Sequence, residues 1–255
     1  HRQRIVQITV VRMSSGSRGA LSAWQNCRVR AVLWDMDGTL VDSEKLWDIS
    51  LNKLYEFHGA TMSRHTRSAL VGASAEETMV TVYTELGLDH DPAAIAGSIQ
   101  WLHDHTADLF DGGLPWCPGA REMLEALVSE AVPMALVTNT QRELAERALN
   151  SIGRHYFTVT VCGDEVPSGK PAPDPYLRAA ELLGVEPGDC LAIEDSVTGS
   201  TAAERAGCAV LVVPNDVPVP GSERRRHAES LAGLDAAALR RVYREIDREA
   251  RDRTA

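Results

Sequence analysis

The chain has 255 residues, of which 44% are hydrophobic and 24% are charged, a composition ordinary for a globular protein with a sizeable buried core. Acidic residues outnumber basic residues by 36 to 26, which excludes general nucleic-acid binding through a broad positive field. No apolar run is long enough to span a bilayer, so we expect neither nucleic acid nor membrane as a partner.

The first 27 residues differ in composition from the rest of the chain. They contain no Asp or Glu, four arginines and a Ser-Ser-Gly-Ser segment at 14–17. An acid-free start with Arg and Ser is typical of organelle transit peptides, but the apolar IVQITVV stretch is short, contains Gln7 and precedes no cleavage signal. We therefore predict that residues 1–27 form a disordered extension, with Met13 as a candidate natural start.

The segment RVRAVLW, Arg28 to Trp34, predicts a buried strand that ends at Asp35. From Glu44 to about Gly113 the pattern is helical throughout. The first of these helices is predicted to stop at Gly59 and to bury an apolar stripe, which consists of Leu46, Ile49, Leu54 and Phe57.

After Pro115, strands and helices alternate. The predicted strands are VPMALVT, a segment near Thr158, CLAIE and AVLVVP, and helices begin at Pro118, Gln141, Pro175 and Val197. Such alternation is typical of an α/β fold, in which helices cover both faces of a parallel sheet. The Arg224–Arg226 run is predicted to be a solvated loop, and the charged LRRVYREIDREARDR segment an exposed final helix.

The five cysteines are scattered and include no Cys-x-x-Cys pair, which does not indicate a disulfide framework. We expect them to be small buried side chains. A reducing, cytoplasmic compartment fits this usage.

Polar side chains gather where the predicted strands end. Because the carboxyl ends of parallel strands meet at one edge of the sheet, these side chains are expected to lie close together. Several carboxylates at one place need a hard divalent cation, and few oxygen ligands with room for water favour Mg²⁺. A lysine beside a hydroxyl-amide pair suits the oxygens of a phosphate. The residues are Asp35, Asp37, Thr138, Asn139, Lys170, Glu194 and Asp195.

In chain order these residues form the motifs DMDGT, TNT, GK and ED, which resemble the motifs of the haloacid dehalogenase superfamily. The resemblance covers residues 28–216 and is greatest to the phosphatase and beta-phosphoglucomutase-like group. It implies a Rossmann-like parallel-sheet core with helices on both faces, at residues 28–44 and 114–255. It also implies an inserted small α-helical cap at 45–113, over the carboxyl edge of the sheet.

The resemblance also implies a role for each site residue. Asp35 would attack phosphorus to form an aspartyl-phosphate, and Asp37 would act as general acid and then as general base. Mg²⁺ would be held by Asp35, the backbone carbonyl of Asp37 and Asp195, with Glu194 bound directly or through water. Lys170 would neutralise negative charge at the phosphate. Thr138, the backbone of Asn139 and Gly72 in the cap loop would bind substrate.

These assignments predict a magnesium-dependent phosphatase acting on a small phosphomonoester. Sugar phosphates, phosphoglycolate, polyol phosphates and nucleotides all remain open as substrates. A protein that binds phosphate without turnover is a further hypothesis, which the intact acids at 35, 37 and 195 disfavour.

The alternative enzyme is a hexose-phosphate mutase of the beta-phosphoglucomutase type. The mutase relatives place an arginine just after the glycine of the cap loop. In this chain, Gly72 is followed by small residues and then by Glu76 and Glu77, while Arg64 and Arg67 lie just before the loop. The two glutamates are expected to repel a second phosphate, which favours the phosphatase.

Overall fold

The structure, a computed structural model, describes residues 24, 28–70, 73, 75–215 and 217–253. Most of the predicted extension at residues 1–27 lies outside this range, and so does Gly72. Trp24 is described and buried, with its indole N–H donating to Glu130 at 2.5 Å. No helix within the described range is both long and apolar enough to cross a membrane.

One parallel sheet has the strand order β3-β2-β1-β4-β5-β6. The chain adds β2 and β3 on one side of β1, then returns to add β4 to β6 on the other side. This reversal leaves a crevice beyond the carboxyl end of β1, the usual binding place in open α/β sheets. The strands are β1 (Ala31–Trp34), β2 (Met134–Val137), β3 (Val159–Val161), β4 (Cys190–Glu194), β5 (Ala209–Val212) and β6 (Arg225–His227).

Helices cover both faces of the sheet, as predicted. Successive residues of β1 point to opposite faces: Val32 and Trp34 join one buried apolar cluster, and Ala31 and Leu33 join the other. The helices are α1 (Glu44–Phe57), α2 (Arg64–Leu70), α3 (Ala75–Leu86), α4 (Pro92–Asp111), α5 (Ala120–Ser129), α6 (Arg142–Ile152), α7 (Asp174–Leu183), α8 (Val197–Ala206) and α9 (Ala236–Asp252).

Helices α1 to α4 follow one another between β1 and α5, without an intervening strand among the described residues. They share a separate apolar cluster that includes Leu51, Leu54, Met79 and Leu102. We refer to α1–α4 as the cap helices.

The apolar stripe predicted for α1 is wrong at two positions. The side chains of Ile49 and Phe57 are 49% and 82% exposed, whereas Leu54 is buried. The buried face of α1 also contains polar groups: Ser50 accepts a hydrogen bond from Thr106 at 2.8 Å. Because hydrogen bonding allows such groups to be buried, apolar spacing alone did not define the buried face of α1 correctly.

Two predictions near the C-terminus are also wrong. Helix α9 is not an exposed helix, since Leu239, Tyr243 and Ile246 pack into the main core at helical spacing among the charged residues. Arg225 does not lie in a solvated loop. It is buried on β6, where its guanidinium donates to Glu204 at 2.6 Å.

Candidate active site

The two aspartates of the first motif lie beyond the carboxyl end of β1. Asp35 directly follows the strand, and its N–H donates to the carbonyl of Ile193 in β4 at 3.0 Å. Gly38 has a φ of 83° and packs so closely against the Asp195 carboxylate that a Cβ atom would overlap it. Glycine at this position therefore allows the first motif to approach the fourth.

Three buried acids form the centre of the site. The carboxylates of Asp35, Glu194 and Asp195 each offer an oxygen within 4.8 Å of the others, the only such group found among the described residues. Oδ2 of Asp35 is buried and has no hydrogen-bond partner. An unpartnered carboxylate oxygen beside two further carboxylates fits a small, hard cation such as Mg²⁺.

Lys170 bridges two of these acids. Its Nζ atom donates to Asp35 Oδ1 at 2.6 Å and to Glu194 Oε1 at 2.7 Å, and all three side chains are buried. Burial raises the pKa of Asp35 to about 7, although the nearby ammonium of Lys170 acts to lower it. Burial alone would lower the pKa of Lys170, but the carboxylates of Asp35 and Glu194 raise it above its ordinary value. Lys170 therefore remains a fixed cation beside Asp35.

Glu194 is enclosed by hydrogen-bond donors. The Tyr176 hydroxyl donates to the same Oε1 atom that Lys170 contacts, at 2.5 Å, and Ser196 donates to Oε2 at 3.2 Å. The Lys170 ammonium also lies 5.3 Å from the centre of the Tyr176 ring. Tyr176 was not predicted as a site residue. Its position in the first turn of α7, soon after the Gly-Lys motif, was the available signal.

Asp37 accepts hydrogen bonds from three hydroxyl groups. Ser43 donates to Oδ1 at 2.5 Å, while Thr138 and Thr140 donate to Oδ2 at 3.0 and 2.8 Å. These bonds fix the carboxylate of Asp37 while leaving it partly exposed. The predicted role of Thr138 was phosphate binding, but its hydroxyl contacts Asp37 here. Ser43 and Thr140 were not predicted as site residues.

The side chain of Asn139 holds the backbone of Lys170. Its Oδ1 atom accepts from the Lys170 N–H at 2.8 Å, and its Nδ2 atom donates to the Lys170 carbonyl at 3.1 Å. The amide therefore positions the lysine, in addition to the phosphate-binding role predicted for the Asn139 backbone.

Two histidines and two lysines of the cap helices do not join this centre. His105 bonds to Ser50 at 2.9 Å, and His103 packs edge-on against Trp47. Lys45 and Lys53 are exposed and pair with acidic residues of their own segment. The four described cysteines are free thiols, and three of them are buried: Cys162, Cys190 and Cys208.

Comparisons with known proteins agree with this geometry. Residues 29–207 match the family model of the haloacid dehalogenase-like hydrolases. The chain is 33% identical over 180 residues to a phosphorylated carbohydrates phosphatase of Thermotoga maritima, which covers 70% of this chain and 82% of the relative. It is 33% identical over 222 residues to a probable pseudouridine-5'-phosphatase of Drosophila melanogaster, with 81% and 90% covered.

A solved structure has the same fold. CbbY from Rhodobacter sphaeroides, crystallised in complex with phosphate, has a TM-score of 0.72 and 27% sequence identity to this chain. The likeness covers 83% of this chain and 99% of CbbY.

Proposed function

The chain belongs to the haloacid dehalogenase-like hydrolase family, and we propose that it is a magnesium-dependent phosphatase that releases phosphate from a small phosphorylated metabolite. One observation carries this proposal: Asp35 is buried, ion-paired to Lys170 at 2.6 Å and placed beside Glu194 and Asp195. A carboxylate with a fixed cation beside it suits attack on an anionic phosphate ester.

In this proposal Asp35, Asp195 and the backbone carbonyl of Asp37 hold the Mg²⁺ ion. Glu194 would bind the ion directly or through water, while its Oε1 atom accepts from Lys170 and Tyr176. The bound ion supplies positive charge that stabilises the transferring phosphoryl group. The hard oxygen donors and the unpartnered Oδ2 of Asp35 support this assignment.

The protein groups divide the reaction into two displacements. Asp35 attacks phosphorus while the bond to the leaving oxygen breaks, and Asp37 gives that oxygen a proton. A water molecule then attacks the phosphorus of the aspartyl-phosphate. Asp37 takes a proton from this water, and the release of phosphate regenerates Asp35. Lys170 and the backbone of Asn139 orient the phosphoryl group throughout.

We assign a sugar phosphate or a polyol phosphate as the substrate. The Thermotoga relative supports this class by its name, as does hexitol phosphatase A of Escherichia coli, which is 31% identical over 193 residues. Glu76 and Glu77 are exposed in the first turn of α3 and disfavour the second phosphate that a hexose-phosphate mutase must hold. The cytoplasmic location stays a prediction.

A screen of phosphorylated sugars and polyols, with and without Mg²⁺, tests the proposal by measuring free phosphate. We expect Mg²⁺-dependent release that is absent in Asp35→Asn. Full activity in excess chelator would exclude the proposed metal site. Interconversion of two hexose phosphates without free phosphate would indicate the mutase.

A further inference from the structure

Tyr176 contacts both members of the buried ion pair between Lys170 and Glu194. Its hydroxyl donates to Glu194 Oε1 at 2.5 Å, and the Lys170 ammonium lies 5.3 Å from the centre of its ring. The side chain of Tyr176 is completely buried, so water does not compete for either contact. The two displacements of the proposed reaction give this residue no role.

The ring of Tyr176 is fixed by apolar packing. Tyr176 lies in the first turn of α7 and belongs to the buried cluster on one face of the sheet, which also contains Val137, Ala179 and Ala180. Side chains in such a cluster are close-packed and hold one arrangement. The hydroxyl therefore has a defined position, from which it can orient the group that accepts its hydrogen bond.

The carboxylate of Glu194 lies between a rigid donor and a flexible one. Glu194 is the last residue of β4, and Gly199 of α8 packs directly against its carboxylate. Ser196 donates to Oε2 at 3.2 Å, whereas Oε1 accepts from both Tyr176 and Lys170. Because lysine has a flexible four-carbon side chain, the Tyr176 ring is the more rigid of the two donors to Oε1. We therefore expect Tyr176 to determine where Oε1 lies.

Lys170 divides its ammonium between two acids. Asn139 holds the backbone of Lys170, but the Nζ atom is held by Asp35 Oδ1 at 2.6 Å and by Glu194 Oε1 at 2.7 Å. These two oxygens are its hydrogen-bond acceptors within the described part of the chain, and an ammonium has three N–H donors. One donor is thus left for an oxygen of the phosphoryl group, and its direction depends on where the two acids lie.

The Tyr176 hydroxyl also limits the attraction of Glu194 for Lys170. A hydrogen bond to Oε1 offsets part of the negative charge on that oxygen, and in a buried site such an effect is stronger than in water. Without the hydroxyl, Glu194 would attract the ammonium more strongly and draw it away from Asp35.

We infer that Tyr176 is a positioning residue for the proposed reaction: its hydroxyl holds the Glu194 carboxylate so that the Lys170 ammonium stays shared with Asp35 and keeps one N–H for the phosphoryl group. The inference rests on the proposed function and adds the residue that sets the place of its fixed cation. Tyr176 acts through Glu194 and Lys170 and does not itself contact the substrate.

Tyr176→Phe tests the hydroxyl alone, because it keeps the ring and its contact with Lys170. We expect kcat for the best substrate of the screen to fall by about tenfold, since a misplaced ammonium stabilises the transferring phosphoryl group less well. Tyr55→Phe is the matched control. Tyr55 is also buried and its hydroxyl donates to a glutamate, Glu85, but within the cap helices. Its kcat should stay within about twofold of the wild type.

The lysine content of the chain allows the ammonium to be observed directly. The chain has three lysines, Lys45, Lys53 and Lys170, so isotope-labelled lysine gives three sets of side-chain NMR signals. Lys45→Arg and Lys53→Arg, both at exposed positions, assign two of the sets, and the third belongs to Lys170. We expect the Lys170 signals to shift in Tyr176→Phe and to stay in place in Tyr55→Phe.

A shift of the Lys170 signals together with a fall in kcat would support the inference. Unchanged Lys170 signals in Tyr176→Phe would overturn it, because the hydroxyl would then not determine the place of the ammonium. An unchanged kcat would overturn it as well. Thermal unfolding checks that each variant is folded, and Tyr176→Met, which also removes the hydroxyl, replaces Tyr176→Phe if that variant is not.

The NMR measurement separates this inference from the proposed function, because it requires no turnover. A wild-type protein that releases no phosphate from any compound of the screen would contradict the proposed function. The Lys170 signals would still decide whether the Tyr176 hydroxyl holds the ammonium in place.

Discussion

The acidic centre and the cap helices differ in how deeply their charged groups are buried. In the centre, Lys170, Asp35 and Glu194 are buried and bonded to one another. In the cap, the pairs that include Arg67 and Lys53 are partly or largely exposed. Removing one charge from the buried group should lower the free energy of unfolding strongly, because its partners stay buried. Removing one charge from an exposed pair of the cap should change the free energy of unfolding little. We therefore expect the type of reaction to depend on the centre and the choice of substrate to depend on the cap helices.

The largest effect is expected for the nucleophile. Asp35→Asn is nearly isosteric but cannot form the aspartyl-phosphate, so kcat should fall by roughly three orders of magnitude or more. Phosphate release with the best substrate of the screen measures this change. Asp42→Asn is the control, because Asp42 pairs with Lys45 outside the acidic centre. Retention of more than a trace of activity in Asp35→Asn would contradict the covalent mechanism.

The buried cation should matter for folding as well. Lys170→Met leaves the carboxylates of Asp35 and Glu194 buried without their cation, and we expect the free energy of unfolding to fall by about 3–5 kcal/mol. Urea denaturation at neutral pH measures the change. The exposed Lys53→Met serves as the control and should change stability by less than about 0.5 kcal/mol. If both substitutions lowered the free energy of unfolding equally, burial would not distinguish the charged groups of the centre from those of the cap.

A third pair of variants tests the buried face of α1. Leu54→Ala should lower the free energy of unfolding by about 2–5 kcal/mol, because it opens a cavity in the cap cluster. Phe57→Ala should change it by no more than about 0.5 kcal/mol, since that side chain is 82% exposed. If Phe57→Ala cost as much stability as Leu54→Ala, the predicted stripe would be right at Phe57 and the observed face wrong there.

Among the substitutions that remove a buried contact, Asn139→Ala is expected to have the smallest effect on stability. Asn139→Ala removes the side chain that bonds to the Lys170 N–H and carbonyl, and we expect the free energy of unfolding to fall by about 1–3 kcal/mol. The displaced lysine should also lower kcat by about tenfold, with less change in KM. The exposed Asn150→Ala is the control. An unchanged kcat in Asn139→Ala would show that Lys170 does not need this amide.

Much of the fold was predictable from local patterns. The parallel sheet followed from strands that alternate with helices, and the predicted CLAIE strand has its observed bounds, Cys190–Glu194. The predictions failed where a charged residue is buried. Arg225 is buried because its guanidinium donates to the nearby carbonyl of Pro220 and to Glu204, which lies on α8. Residue type alone does not reveal such partners.

The site was predictable to a similar degree. Asp35, Glu194 and Asp195 were expected to meet because they follow parallel strands, and their carboxylates do lie together. The groups that orient them were not expected. Tyr176 and Thr140 act through hydrogen bonds whose geometry depends on how α7 and the loop after β2 pack. A single sequence carries no direct signal for that packing.

The contact between α8 and Glu194 has a consequence for how this enzyme tolerates sequence change. Gly199, in the first turn of α8, packs directly against the Glu194 carboxylate, and a Cβ atom there would overlap both carboxylate oxygens. Even alanine, otherwise the most acceptable residue in a helix, would push aside the group that anchors Lys170. We therefore expect position 199 to accept no residue larger than glycine, although Gly199 itself contributes no side chain to the acidic centre.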